Sequence, residues 1–239
     1  MWERACSGRR SDEDGVSVDI KIACHTAFVG TPPGASPLPQ DVRVTDIYGE
    51  IMAVEFRLAV RADAREIARL FQITSEGTAD YIWSQLAQPG QDLLDVGAIR
   101  YARDNVDFSW QNCLIAESDD QVIGMMHSYV MRHDPLATPV TDPVLAPYAT
   151  MEIPDTLYIS SLALHEGWRN QGLGKQFLDY AYDRANQLGL NGLSLIDYAA
   201  NAGARRFYER HGFRIVDTCQ ITPHPMIRVR GEAYLMYRP

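Results

Sequence analysis

The run Leu162-Ala163-Leu164-His165-Glu166-Gly167-Trp168-Arg169-Asn170-Gln171-Gly172-Leu173-Gly174-Lys175 carries an apolar strand pattern through a short turn into a glycine-containing loop that opens a helix. Such a junction can hold an anion. The first N–H groups of a helix have no intrahelical acceptor, and the helix dipole favours negative charge there. Gly172 and Gly174 remove Cβ atoms that would hold a phosphate away from the main chain. Arg169 and Lys175 add positive charge nearby. A nucleoside triphosphate P-loop is excluded: Arg169 stands where its first Gly belongs, and Gln176 stands where Ser or Thr must follow the Lys. A dinucleotide fingerprint beginning at Gly172 and Gly174 fails at its third glycine, which is Phe177. A glycine-containing loop before an ordinary helix remains open on these residues alone.

A second constellation is Asn201-Ala-Gly-Ala204-Arg-Arg-Phe207-Tyr208-Glu-Arg-His-Gly212-Phe213, a capped helix with an aromatic pair late in its course. Together, Arg169-x-x-Gly172-x-Gly174 after a strand and Asn201-x-x-Ala204-x-x-Phe207-Tyr208-x-x-x-Gly212-Phe213 downstream resemble the two central motifs of the GNAT superfamily of acetyl-CoA-dependent N-acetyltransferases. The similarity spans about residues 54 to 239 and is strongest from Tyr158 to Phe213.

The resemblance implies a role for each matching position. The backbone of Leu162, Ala163 and Leu164 would pair with the pantetheine arm of acetyl-CoA. The amides of Arg169, Asn170, Gln171, Gly172, Leu173, Gly174 and Lys175 would hold the pyrophosphate. Asn201 would contact the cofactor near the pantetheine, and Tyr208 would protonate the departing thiolate. That last role is sound chemistry in its own right, because a phenol within hydrogen-bond reach can donate to a thiolate as charge builds on sulfur. A core tyrosine beside Phe207 is the bland alternative.

The other proton is harder to place. Many relatives carry an acidic residue on the strand matching Tyr158 to Leu164, but here the stretch reads Tyr158-Ile159-Ser160-Ser161-Leu162, without a carboxylate. Substitutes are Glu117 near a strand end, His127 on the next strand and Asp197 at the end of the strand after the loop's helix, and Ser160 or Ser161 could position a water. Each of these also reads as a plain sheet or surface residue, and an amine delivered neutral needs no dedicated base. The histidines show no metal-ligand spacing, so no metal is expected. Gly-x-Ser-x-Gly is absent, and Cys113 and Cys219 read as small buried residues, not nucleophiles. Arg205, Arg206 and Arg210 form either a solvated helix face or a patch for the adenosine phosphate.

The elements that position these groups follow from periodicity. Val54 to Val60 alternates as a strand, and Asp63 caps a helix with Ile67, Leu70 and Phe71 at helical spacing. Two helical stretches, 79–87 and 91–102, are separated by Pro89-Gly90. A hairpin is predicted from 112–117 and 122–131, turning at Ser118-Asp119-Asp120. Residues 133–154 hold five prolines and read as a long loop, a candidate substrate lid. Then come a strand at 157–164, a helix at 172–188 ending at Gly189, a strand at 193–197, a helix from Asn201 to His211, and strands at 213–221 and 232–237. The class is α/β: a single GNAT-like domain with a central mixed, twisted β-sheet flanked by helices on both faces.

Residues 1–51 have a different texture, dense in Gly, Pro and Ser, and read as a disordered extension. Gly49-Glu50-Ile51-Met52 can be encoded by GGA-GAA-AUC-AUG, a purine-rich signal before a start codon, so Met52 is a candidate true start. A genuine mobile tail is the alternative. The domain proper is 54–239.

At 239 residues, 46% hydrophobic and 22% charged, the chain has material for one sizeable core and is no disordered or fibrous protein. A net charge of −9 argues against a broad grip on nucleic acid or anionic membranes. Four dispersed cysteines and no long apolar run fit a cytoplasmic protein without a membrane span. The reading is an N-acetyltransferase that moves an acetyl group from acetyl-CoA to a primary amine, small molecule or peptide, by direct transfer in a ternary complex. A non-catalytic acyl-CoA sensor and transfer of a longer acyl group are the rivals. The acceptor would approach past residues 74–104 and the 133–154 loop, where Tyr81, Trp83, Tyr101, Asp104, Asp107 and Trp110 offer aromatics and carboxylates for a cation or simply pack as helices. The sequence allows a homodimer and is silent on oligomeric state.

Overall fold

A computed structural model describes residues 53–132 and 139–239. The extension 1–51, with the candidate start at Met52, and residues 133–138 of the expected lid lie outside these residues.

Among the described residues seven strands form one sheet in the order β1-β2-β3-β4-β5-β7-β6. They are β1 (Glu55–Leu58), β2 (Cys113–Ser118), β3 (Gln121–Met131), β4 (Thr156–Leu164), β5 (Leu193–Tyr198), β6 (Arg214–Gln220) and β7 (Glu232–Arg238). Neighbours are antiparallel except β4 and β5, which run parallel, so the sheet is mixed. The β2–β3 turn uses Asp119 and Asp120, both at positive φ (49° and 58°), the pairing a tight hairpin demands and one that Asp tolerates.

Among the described residues five α-helices cover the two faces: α1 (Ala64–Thr74), α2 (Thr78–Ser84), α3 (Leu93–Tyr101), α4 (Leu173–Gln187) and α5 (Ala202–Arg210). In α1 the buried positions Ile67, Leu70, Phe71 and Thr74 follow helical spacing and form one face. The Asp92 side chain accepts from the Leu94 amide and starts α3 after Pro89-Gly90. Strand alternation divides the core in two. Ile115, Met125, Tyr129, Tyr158, Ala163 and Ile196 point toward α1–α3. Leu114, Met126, Ile159, Leu162, Leu164 and Leu195 point toward α4 and α5, meeting Phe177, Phe207 and Tyr208.

Residues 139–154 form a loop, as expected from their prolines, and it is anchored to the body of the domain. Val144, Leu145, Tyr148 and Met151 are buried in the α1–α3 core. Asp142 accepts from Tyr81 Oη at 2.7 Å and from the amides of Val144 and Leu145. Burial and the bond to Asp142 push the Tyr81 phenol up to about 12. No helix among the described residues is long and apolar enough to cross a membrane.

Candidate active site

β4 and β5 pair only at Leu157/Leu193 and Tyr158/Ser194. Beyond that point the parallel pair parts, and the edge of β4 that faces β5, including Leu162, Ala163 and Leu164, carries no strand partner among the described residues. On its other edge the same stretch is fully paired, with Leu162 opposite Met126, Ala163 opposite Met125 and Leu164 opposite Gly124. The result is a wedge in mid-sheet, open for a ligand with amide groups of its own to complete the ladder.

The phosphate-type loop stands at the end of this edge. Asn170 (φ 62°) and Gly172 (φ 81°) are left-handed, and Gly172 is the N-cap of α4. The amides of Asn170, Gln171, Gly172, Leu173 and Gly174 have no hydrogen-bond partner among the described residues, whereas the Lys175 amide is bonded to the Gly172 carbonyl. A turn with several free donors at a helix N-terminus fits an anion. The charged side chains are less committed to that anion than the sequence suggests. Arg169 Nε donates to the Leu164 carbonyl at 3.1 Å and locks the loop to the end of β4, and Lys175 Nζ is paired with Asp179 at 2.6 Å.

The far lip of the wedge belongs to α5. Asn201 Oδ1 accepts from the Ala204 amide at 3.2 Å and so caps the helix. Tyr208 is buried between the rings of Phe207 and Phe213, in the core shared with β4 and β5.

On the opposite face, the turn between α1 and α2 spans both strands of the wedge. Thr74 Oγ1 meets Ser161 Oγ of β4 at 2.9 Å, and Thr78 Oγ1 meets the Tyr198 hydroxyl of β5 at 3.3 Å. The loop between β6 and β7 lies against the same turn: the Arg228 amide donates to the Glu76 carbonyl at 2.8 Å, and the Arg228 guanidinium lies 3.7 Å from both Glu76 and Asp80. Gly77 (φ 92°) is needed here, because a Cβ would stand 1.8 Å from the Met226 carbonyl oxygen.

The candidate bases separate clearly. Glu117 is held by Arg57, which also binds Asp63, at the far edge of the sheet. Asp197 is fully buried on β5. His127 is fully buried on β3, ringed by Tyr101, Phe108 and Tyr129, with Nε2 at 2.9 Å from the Asp107 carbonyl. Burial pulls its pKa down to about 4. Of the residues expected to face the acceptor, Trp83 and Tyr101 are core, and Asp104 is taken by Arg61 and Trp110. Cys113 is buried, and burial pushes its thiol well up; the same cause lifts Cys219 to about 11. Arg205 reaches the Ala199 carbonyl and lies over the Tyr234 ring.

Two features escape sequence reasoning. One is a bulge in β4, where His127 pairs with Ser161 and Ser128 with Ile159, leaving Ser160 without an opposite number. The other is the bridging turn, Thr74 to Thr78. A bulge has no residue-type signature, and the polar run Thr74-Ser75-Glu76-Gly77-Thr78 signals only a turn.

The sequence profile of the Acetyltransferase (GNAT) family matches residues 80–213, more than half of the chain. The chain belongs to the GNAT family. Solved structures similar to this GNAT protein include one described as an acetyltransferase, 20% identical with a TM-score of 0.55, covering 77% of this chain and 98% of that one. Another is the N-acetyltransferase from Staphylococcus aureus Mu50, 16% identical with a TM-score of 0.55, covering 77% and 99%. A third is Ard1 from Thermoplasma volcanium, 15% identical with a TM-score of 0.50, covering 78% and 97%. At these identities the likeness speaks for the fold. No curated protein matches the sequence. As a GNAT protein the chain is an acyltransferase.

Proposed function

We propose that this enzyme transfers the acetyl group of acetyl-CoA to a primary amine by direct attack in a ternary complex. The observation that carries the reading is the parting of β4 and β5 after two residue pairs, with five free amides at the start of α4 beyond it. An open strand edge suits the amides of a pantetheine arm, and a donor-rich helix start suits a pyrophosphate. Bound there, acetyl-CoA supplies an activated thioester carbonyl. The open edge of β4 at Leu162, Ala163 and Leu164 fixes the arm along the strand. The loop from Arg169 to Lys175 holds the phosphates by main-chain donors, with Arg169 serving as its brace. Asn201 sets the start of α5 and with it the place of Tyr208, whose phenol donates to the departing thiolate.

The acceptor approaches from the α1–α2 side, where the Thr74-to-Thr78 turn and the Arg228 loop frame the other face of the wedge. The attacking nitrogen and the leaving sulfur are then served from opposite faces of the sheet. Direct transfer needs no covalent acyl-enzyme, and among the described residues burial keeps the Cys113 and Cys219 thiols protonated. Thiol release from acetyl-CoA tests the reading. Wild type should release thiol only when an amine is present, and Tyr208→Phe should lower kcat by about 100-fold while binding acetyl-CoA as tightly. Equal turnover by the variant would remove Tyr208 from the mechanism.

A further inference from the structure

β4 lacks a carboxylate, yet the structure brings two other polar groups together beside the wedge. Alternation places Tyr158 toward α1–α3 and Ile159 toward α4, so Ser160 points toward α1–α3. After the bulge, Ser161 also points that way, since its hydroxyl meets Thr74 of α1, and Leu162 turns back toward α4. Two neighbouring serines therefore share one face, Ser161 opposite His127 and Ser160 next to it in the bulge, and His127 faces the same side among Tyr101 and Phe108. Opposed side chains of an antiparallel pair start about 5 Å apart at Cβ.

Both groups are fully buried, and both carry an atom without a protein partner among the described residues: Ser160 Oγ and His127 Nδ1. The tautomer follows from the neighbour. The Asp107 carbonyl can only accept, so Nε2 carries the proton and Nδ1 offers a lone pair. A buried donor or acceptor left unmatched costs stability, and two such groups on one face of neighbouring strands are a place where a water can be held.

We propose that His127 Nδ1 and Ser160 Oγ together hold the water that orients the attacking amine and carries its proton away, in place of a β4 carboxylate. The inference rests on the acetyl-transfer reading of the same site. As the amine nitrogen bonds to the thioester carbonyl carbon, its N–H proton passes to the water, and the water passes one of its own to His127 Nδ1. The C–S bond then breaks, and the thiolate takes the phenol proton of Tyr208. Solvent afterwards receives the proton from His127 and returns one to Tyr208, so amide and free thiol are the only products. A neutral imidazole in this setting is too weak to strip a free alkylammonium ion; it acts once the new C–N bond has made the nitrogen's proton acidic. Both residues are positioning residues, since they reach the nitrogen through the water.

Two paired comparisons test this in the full chain. Ser160→Ala removes a hydroxyl with no protein partner among the described residues, so the urea midpoint should hold while kcat falls at least about tenfold with KM for acetyl-CoA unchanged. His127→Gln keeps a donor where Nε2 meets Asp107 but loses the acceptor at Nδ1, and His127→Asn does the reverse. The Asn variant should retain more kcat and the Gln variant more stability. Activity that follows stability across all three variants, or wild-type kcat in Ser160→Ala, would overturn the assignment and leave the acetyl-transfer reading standing. Thiol release by no amine in wild type, with acetyl-CoA bound in calorimetry, would overturn that reading itself.

Discussion

Acidification singles out His127. Its imidazole is fully buried among Tyr101, Phe108 and Tyr129, and burial lowers its pKa from 6.5 to about 4. Between these values the unfolded chain binds a proton that the folded chain refuses, so stability rises with pH across the window and is lost as pH falls from about 6.5 toward about 4. At about 1.4 kcal/mol per unit, the whole span is worth roughly 3 kcal/mol, a large share of a domain's net stability. The Asp63 and Asp142 carboxyls act lower on the scale. Burial works to raise both, but for Asp63 the Arg57 guanidinium and Val60 amide, and for Asp142 the Tyr81 hydroxyl, Gln85 and two main-chain amides, hold them below the usual range, so their stabilisation is lost only at still lower pH. Urea unfolding of wild type and His127→Gln at half-unit intervals from pH 7.5 to 4 isolates the effect. The variant's curve should be flatter by about 3 kcal/mol over the window. Parallel curves would show that the folded state accepts a proton at His127 and would refute the burial argument.

Other outcomes follow from the same geometry. Gly77→Ala should destabilise by about 3 kcal/mol or more in thermal unfolding, since the new Cβ meets the Met226 carbonyl and φ is 92°. Gly172→Ala has open space around it, so it should cost only about 1 kcal/mol for its left-handed φ, yet weaken acetyl-CoA in calorimetry by crowding the free amides. Asn201→Ala removes the cap of α5 and should cost about 1 kcal/mol in urea, with a lower kcat as Tyr208 loses its fixed place. The kcat/KM for an alkylamine should climb with pH toward the amine's own pKa, because His127 stays neutral throughout; a limb near pH 6.5 that vanishes in His127→Gln would contradict this.

Local rules carried much of the fold. Helix spacing at Ile67, Leu70 and Phe71, the break at Pro89-Gly90, the Asp119-Asp120 turn and the caps at Asn201 and Gly189 act within a few residues of chain, and each element stands within a few residues of its expected bounds. The loop ahead of α4 was legible for the same reason. What stayed hidden depends on partners distant in sequence. The parting of β4 from β5 is a property of two strands separated by α4, and the bulge at Ser160 exists only in register with His127 and Ser128. Trp83 and Tyr101 could have faced an acceptor or a core, since an aromatic at helical spacing reads the same either way, and burial decides for the core. The anchoring of residues 139–154 rests on Tyr81 and on apolar side chains scattered among prolines, where no period announces them.

The most direct test of the account follows the acetyl group itself. Incubation of the enzyme with acetyl-CoA carrying an isotopic label in the acetyl carbons and with a panel of primary amines, small and peptidic, would be read by mass spectrometry of amine and protein together. The account predicts label on one class of amine, in step with thiol release and with no labelled protein intermediate. Label retained on the protein, or thiol released without a labelled amine, would contradict direct transfer at the β4–β5 wedge.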